Sequence, residues 1–423
     1  MTPNSPLHLF EGFGVELEYM IVREDSLNTF PACDEVIKAV AGSYVNEVDR
    51  GLLNWSNELT LHVIEFKTNG PAASLAGLST HFDQHVRDVN RILNPMRGRL
   101  MPTAMHPWMD PHAEMRLWPH ENSPIYDAFN RIFDCKGHGW ANLQSAHINL
   151  PFCGDEEFGR LHAAIRLVLP LLPAIAASSP FADAKLAGPM DYRLEVYRTN
   201  CAKVPMVTGD VIPEPVFTPD EYERNILQPL YREIAPLDPD AVLQDEWLNA
   251  RGAIARFERD TIEVRLLDVQ ECPAADIAIV MLVTKTIRAL VEEDWCGWDE
   301  QKKWAVPPLA EILRDTVRTA EDAPIDNREY LNAFGFNGQS ATAGELWSHI
   351  YKNLVPKCSD DEVRLLGPVN HILRHGTLSR RIVRAVGGNV NVANLKNVYR
   401  SLCECLQRGE QFDGALHGTP VHV

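Results

Sequence analysis

Nowhere in the 423 residues do about 18 apolar side chains run together, so no helix is expected to span a bilayer and no membrane partner is expected. The opening MTPNSPLHLFEGFG has neither a basic nor an apolar leader region, which argues against export and for a cytoplasmic protein. Positive charge is scarce as well: 40 Lys and Arg against 58 Asp and Glu leave a net charge of -18. A nucleic-acid partner is therefore not expected, because phosphate backbones reward Lys and Arg. The nine cysteines are scattered; Cys403 and Cys405 come close, but their spacing is not CxxC and no nearby pair completes a zinc site. They read as reduced cytosolic thiols. Also missing are a GxSxG elbow, an HExxH pair and a Walker A loop, since neither EGFG (11–14) nor VGG (386–388) continues into GK[ST]. Internal repeats and low-complexity segments are absent too. With 45% hydrophobic and 23% charged residues, the chain still has the composition of a folded protein.

Four segments alternate like strands: 13–22 (FGVELEYMIV), 59–68 (LTLHVIEFKT), 144–152 (QSAHINLPF) and 259–269 (RDTIEVRLLDV). Helical periodicity marks 73–94, which stops at Pro95, then 155–177 and 274–293. The proline-rich 205–240 reads as a wrapping loop with one short helix, and the chain reads as helical from about 297 onward. The strands are separated by about 35, 75 and 105 residues, too irregular for βαβ units of about 30. The spacing predicts an α+β fold: a mostly antiparallel sheet with helices on one side, and a helical C-terminal region. The division expected is a catalytic domain over 1–296 and a helical region over 297–423, packed on it or capping it.

Strand alternation puts Glu16 and Glu18 on one face, with Val15, Leu17, Tyr19 and Ile21 on the other. Two carboxylates about 7 Å apart on a sheet face repel unless water or a cation screens them. A solvated edge strand would satisfy that condition, and so would a metal site. Glu65 stands among apolar neighbours in the second strand, where a solvent-facing acid is not expected. Glu58 lies seven residues earlier, on the opposite face by strict alternation, so it needs a turn or a bulge to join the others. His147 and Asn149 share a face of the third strand, and Thr261, Glu263 and Arg265 share one of the fourth. Acids with an imidazole suit magnesium or manganese, and a carboxylate beside a guanidinium suits a ligand next to a phosphate clamp. The set favours metal-assisted phosphoryl chemistry.

In order along the chain, GVELEYMI (14–21), NELTLHVIEFKT (57–68), AMHPW (104–108), AHINLPF (146–152), SSPFADAKLAG with Arg193, and TIEVRLLDVQ (261–270) resemble the glutamate–cysteine ligases and their carboxylate–amine ligase relatives. The resemblance covers about the first 290 residues. It implies a glutamine-synthetase-like catalytic domain, in which a curved antiparallel sheet forms a funnel. ATP enters such a funnel at one end and the acid at the other. It implies that Glu16, Glu18, Glu58, Glu65, His147 and Glu263 hold magnesium (or manganese), that Arg265 is a catalytic cation on the phosphate side next to Glu263, and that Arg193 binds the substrate carboxylate. The implied reaction is amide formation through an acyl phosphate, with glutamate or another amino acid as carboxylate donor and an amine as acceptor. Some relatives carry a second histidine where Asn149 stands.

Two other functions share these features. A guanidino-kinase-like phosphotransferase would use the same sheet and arginine clamps, and a non-catalytic nucleotide-binding module would retain the cavity alone. The retained acids speak against the last of these. Arginines 374, 380, 381 and 384 lie close together near the end of the chain. They read either as a basic helix face or as a cationic lid over the site. Apolar helices in the same region would suit a homodimer.

Overall fold

The computed structural model describes residues 6–414. Its main sheet contains eight strands, and every pairing among them is antiparallel. These are β1 (Gly14–Arg23), β2 (Glu47–Asp49), β3 (Leu53–Asn57), β4 (Val63–Thr68), β5 (Gly98–Met101) and β6 (Ser145–Pro151), followed after the small β7 (Phe181–Ala182) and β8 (Lys185–Leu186) hairpin by β9 (Ala253–Arg256) and β10 (Thr261–Asp268). The order across the sheet is β2-β3-β4-β1-β6-β10-β9. One edge of β1 pairs with β4; along the other, β6 takes the first half and β5 the second.

The predicted strand at 59–68 begins only at Val63, and β2, β3, β5 and β9 lie outside the predicted strands. All four are five residues or shorter, too brief to show a period. The three predicted helices are present as Leu78–Leu93, Gly154–Val168 with its short continuations to Ala176, and Pro273–Val291. The proline-rich 205–240 contains short helical turns and one helical stretch running from Pro219 to Ile234.

Alternation along each strand divides the sheet into two faces. Val15, Leu17, Tyr19 and Ile21 of β1, Ile64 and Phe66 of β4, and Ile148 and Leu150 of β6 are fully buried against Phe82 and Val86 of the first helix, Leu161 and Ile165 of the second, and Ile277 and Leu282 of the third. Each such side chain contributes about 1.5–3 kcal/mol by leaving water. The other face carries polar residues over its central strands, and there the candidate site lies.

The region beyond 297 packs into the same core. Leu309, Leu313, Leu346, Trp347 and Ile350 belong to the cluster under the sheet. The Trp347 indole donates to the Leu171 carbonyl at 2.8 Å, and the Tyr330 hydroxyl donates to the Leu167 carbonyl at 2.7 Å. The region is not wholly helical, because β11 (Pro324–Ile325) and β12 (Ala341–Thr342) pair within it. Its last two helices, Leu378–Val386 and Val392–Arg408, cover Met20, Val22 and Met101. They therefore close the polar face just past Glu18, where β1 turns apolar. Among the described residues, no helix is long and apolar enough to cross a membrane.

Candidate active site

Antiparallel register lines up the polar face in rows. Ser56, Glu65 and Glu18 are successive partners across β3, β4 and β1, and Asn54, Lys67, Glu16 and His147 form the next row from β3 to β6. Gly14, Asn149 and Glu263 make a third. Gly14 must be glycine, because a Cβ there would meet the Asn149 Cβ at 2.8 Å.

His147 stands at the centre. Its Nδ1 lies 2.9 Å from Glu16 and 3.8 Å from Glu263, and its Nε2 lies 2.9 Å from the Ser145 hydroxyl and 3.7 Å from Glu18. Asn149 donates to the second Glu16 oxygen at 3.0 Å, and the Ser145 amide donates to Glu18 at 2.8 Å. Glu65 accepts from Ser56 at 2.6 Å and faces Lys67 at 3.3 Å. Among the described residues, two groups have ligand atoms within 4.8 Å of one another: Glu16, His147 and Glu263, and Glu18, Glu65 and His147.

The electrostatics fit a cation. Burial and the nearby Glu16 charge raise the Glu65 carboxyl to about 7. Burial, with Glu18 and Glu65 beside it, holds Glu58 well above the ordinary range. Burial works against a charged His147, yet the Glu16 hydrogen bond and the charges of Glu18, Glu16 and Glu263 push it up to about 9. Burial would also raise Glu16, but the same imidazole outweighs it and holds that carboxyl low. Desolvated carboxylates this close need positive charge. A hard divalent cation taking carboxylate oxygens and one imidazole fits this donor set.

Glu58 comes from the end of β3, before the turn that leads into β4. It directly follows β3, in phase with Asn54 and Ser56, and the turn before Val63 resets the alternation before Glu65. Glu58 lies outside both three-residue groups and lines a cavity with Glu18 and His147.

Two cavities flank the acids. The first, about 600 Å³, is lined by Gly12, Gly14, Glu16, Asn54, Lys67 and Arg259, among others. The second, about 230 Å³, is lined by Glu18, Glu58, His147, Arg193 and Arg265 on its charged side. Arg265 thus faces the second cavity with Arg193, its Nε 3.0 Å from Glu263, and the cations lining the first cavity are Lys67 and Arg259.

Arg193 lies on the short helix Tyr192–Tyr197 and is 2% exposed. Its Nε pairs with Asp268, its Nη1 donates to the Arg265 carbonyl at 3.4 Å, and its Nη2 has no protein partner. Asp268 is fixed in turn by the Ser178 amide and the Ser179 hydroxyl, each at 2.8 Å. Sequence reasoning missed Asp268, because a bulge between Val264 and Leu267 shifts the phase of β10 and brings it opposite Ser145. It also missed Ser56, Ser145 and Lys67; Ser145 and Lys67 sit two residues from His147 and Glu65, a spacing that could have found them. Cys201 lines the second cavity, and burial pushes its thiol up to about 12, which disfavours the thiolate. Arginines 374, 380, 381 and 384 line neither cavity. Arg381 is buried against Glu271 at 2.5 Å, and Arg380 pairs with Glu321 at 3.0 Å. Of the two readings, the lid does not fit this placement, and Arg380 and Arg381 tie the last helices to the rest of the fold.

Known proteins resemble this chain in sequence or in fold. In a crystal structure of the glutamate–cysteine ligase of Francisella tularensis in complex with AMP, the fold matches with a TM-score of 0.60 over 95% of this chain and 90% of that one, at 10% identity. An uncharacterized protein of Archaeoglobus fulgidus is 33% identical over 361 residues, covering 83% of this chain and 94% of its own length. A putative glutamate–cysteine ligase 2-1 of Paenarthrobacter aurescens is 26% identical over 282 residues, 64% of each chain. Residues 12–404 match glutamate-cysteine ligase family 2 (GCS2). The chain belongs to that family.

Proposed function

We propose that the protein is an ATP-dependent ligase that joins a carboxylate to an amine through an acyl phosphate. The observation that carries this reading is the placement of one acid cluster between two cavities with different linings. The larger one opens beside Gly12, Gly14, Lys67 and Arg259, where two glycines and two cations suit a nucleotide and its phosphates. The smaller one is lined by Arg193, whose buried Nη2 has no protein partner, and a guanidinium there suits the acid substrate. AMP in the Francisella protein supports a nucleotide site in this fold.

Glu16, Glu18, Glu65, His147 and Glu263 would hold magnesium, with manganese as a substitute. When bound there, the metal supplies the positive charge that lets ATP approach a carboxylate. Arg193, held by Asp268, fixes the acid so that its reacting carboxylate faces the cluster. Arg265, held by Glu263, offsets negative charge as the γ-phosphoryl moves to the carboxylate oxygen and ADP departs. The amine then attacks the acyl carbon from the second cavity. The C–N bond forms as the C–O bond to phosphate breaks, and the proton lost by nitrogen leaves with the phosphate.

Hydroxylamine tests this directly. Incubating the full chain with ATP, Mg²⁺ and a panel of amino acids should yield a hydroxamate and stoichiometric ADP for at least one acid. ADP with no hydroxamate, or a stable phosphorylated product, would point to the phosphotransferase instead.

A further inference from the structure

Resting on the ligase reading, we infer that Lys67 is a movable charge that couples metal binding to nucleotide binding: its ammonium opposes a divalent cation at the acid cluster until the phosphates of a nucleotide draw it away. Lys67 stands on β4 between the two functions. Register sets it across from Glu16 on β1 and from Asn54 on β3, and its side chain lines the first cavity with Gly12, Gly14 and Arg259. Its Nζ lies 2.6 Å from Glu47 and 3.3 Å from Glu65. Burial works against its charge, but Glu65, Glu47 and Glu16 outweigh burial and raise it above its ordinary range.

Both acids that hold Lys67 are anchored without it. Ser56 donates at 2.6 Å to the same Glu65 oxygen that Lys67 faces. Asn54 donates at 2.6 Å to one oxygen of Glu47, and Lys67 meets the other. The ammonium can therefore leave without releasing either carboxylate. It also has the freedom to do so: its side chain is 29% exposed against 8% for Glu65, and a lysine carries a compact charge on a flexible four-carbon stem. Arg259, the other cation of this cavity, is mostly exposed and faces Glu258, where water screens its charge.

A positive charge this close to Glu65 and Glu16 makes the cluster a weaker cation site, because like charges repel strongly where water is partly excluded. Phosphate oxygens in the first cavity offer Lys67 charge-assisted hydrogen bonds in exchange for Glu47 and Glu65. Its departure leaves the cluster's negative charge to the metal. The metal then binds well only in company with the nucleotide, and by linkage each ligand tightens the other by the same factor.

Calorimetry on the full chain tests this with Mg²⁺ alone and with a non-hydrolysable ATP analogue in saturating Mg²⁺. Lys67→Met should bind Mg²⁺ alone about tenfold more tightly and the analogue about tenfold more weakly, so the two affinities move in opposite directions. An unchanged affinity for either ligand, or a shift of both in one direction, would make Lys67 a structural ion-pair partner and overturn the inference. Glu47→Gln, which removes only a resting partner on the sheet edge, should bind the analogue at least as tightly as wild type. Weaker analogue binding in that variant overturns the inference as well, and this arm stands even where Lys67→Met fails to fold. Analogue binding by the wild type leaves the ligase reading in place in each case; no analogue binding by the wild type removes both.

Discussion

Glu65 is where charge and stability meet at the level of single residues. Its carboxyl is pushed up to about 7 in the fold from an ordinary 4.5, because burial and then Glu16 disfavour its charge. Between those values the folded chain keeps a proton that the unfolded chain has lost, so this group's contribution to stability declines as pH rises through the window. Glu65→Gln should therefore stabilise the metal-free protein at pH 8 by about 1–3 kcal/mol in urea unfolding and leave it unchanged at pH 4. The same variant should bind Mg²⁺ about tenfold or more weakly by calorimetry. Lower stability at pH 8 would contradict this account of the acid cluster. Arg193 offers a second test. One edge of its planar guanidinium pairs with Asp268 while Nη2 stays unpartnered; an ammonium cannot do both. Arg193→Lys should lower kcat/KM by about 10–100-fold, mainly through KM for the acid. An unchanged KM would remove Arg193 from the acid site.

At the scale of elements, the last helices are held by a buried ion pair. Arg381 and Glu271 are 1% and 0% exposed, and the Arg381 guanidinium reaches the Glu271 carboxylate at 2.5 Å. Arg381→Met strands a buried carboxylate and should cost about 3–5 kcal/mol, whereas Arg381→Met with Glu271→Leu should recover most of it. Equal losses in the single and double variants, read from urea midpoints, would show that packing and not charge dominates there. These elements also show what was legible in advance. The strands around Glu16, His147 and Glu263 could be read, since β1 and β6 run for seven residues or more and β10 keeps its alternation from Thr261 to Val264. The route of Glu58 could not, because β3 is only five residues long and the following turn resets the phase. Asp268 was hidden for a related reason, a bulge that breaks alternation within one strand. Roles that depend on a distant partner, such as Arg381 with Glu271, leave no local pattern at all.

Across the whole molecule, the region beyond 297 and the sheet share one core. Trp347 and Tyr330 bond carbonyls at Leu171 and Leu167, and Leu309, Leu346 and Ile350 are fully buried beside helices of the first 296 residues. A chain ending at 296 is expected to lose cooperative thermal unfolding, and the full chain to unfold in one calorimetric transition. Two separated transitions would contradict the shared core. The same architecture sets two cavities on either side of one acid cluster, and the central claim is that an acyl phosphate forms between them. The direct measurement is oxygen transfer. With the substrate carboxylate labelled with ¹⁸O, turnover in the presence of ATP, Mg²⁺ and amine should place one ¹⁸O in each phosphate released alongside ADP. Phosphate free of label, or AMP and pyrophosphate in place of ADP and phosphate, would contradict it.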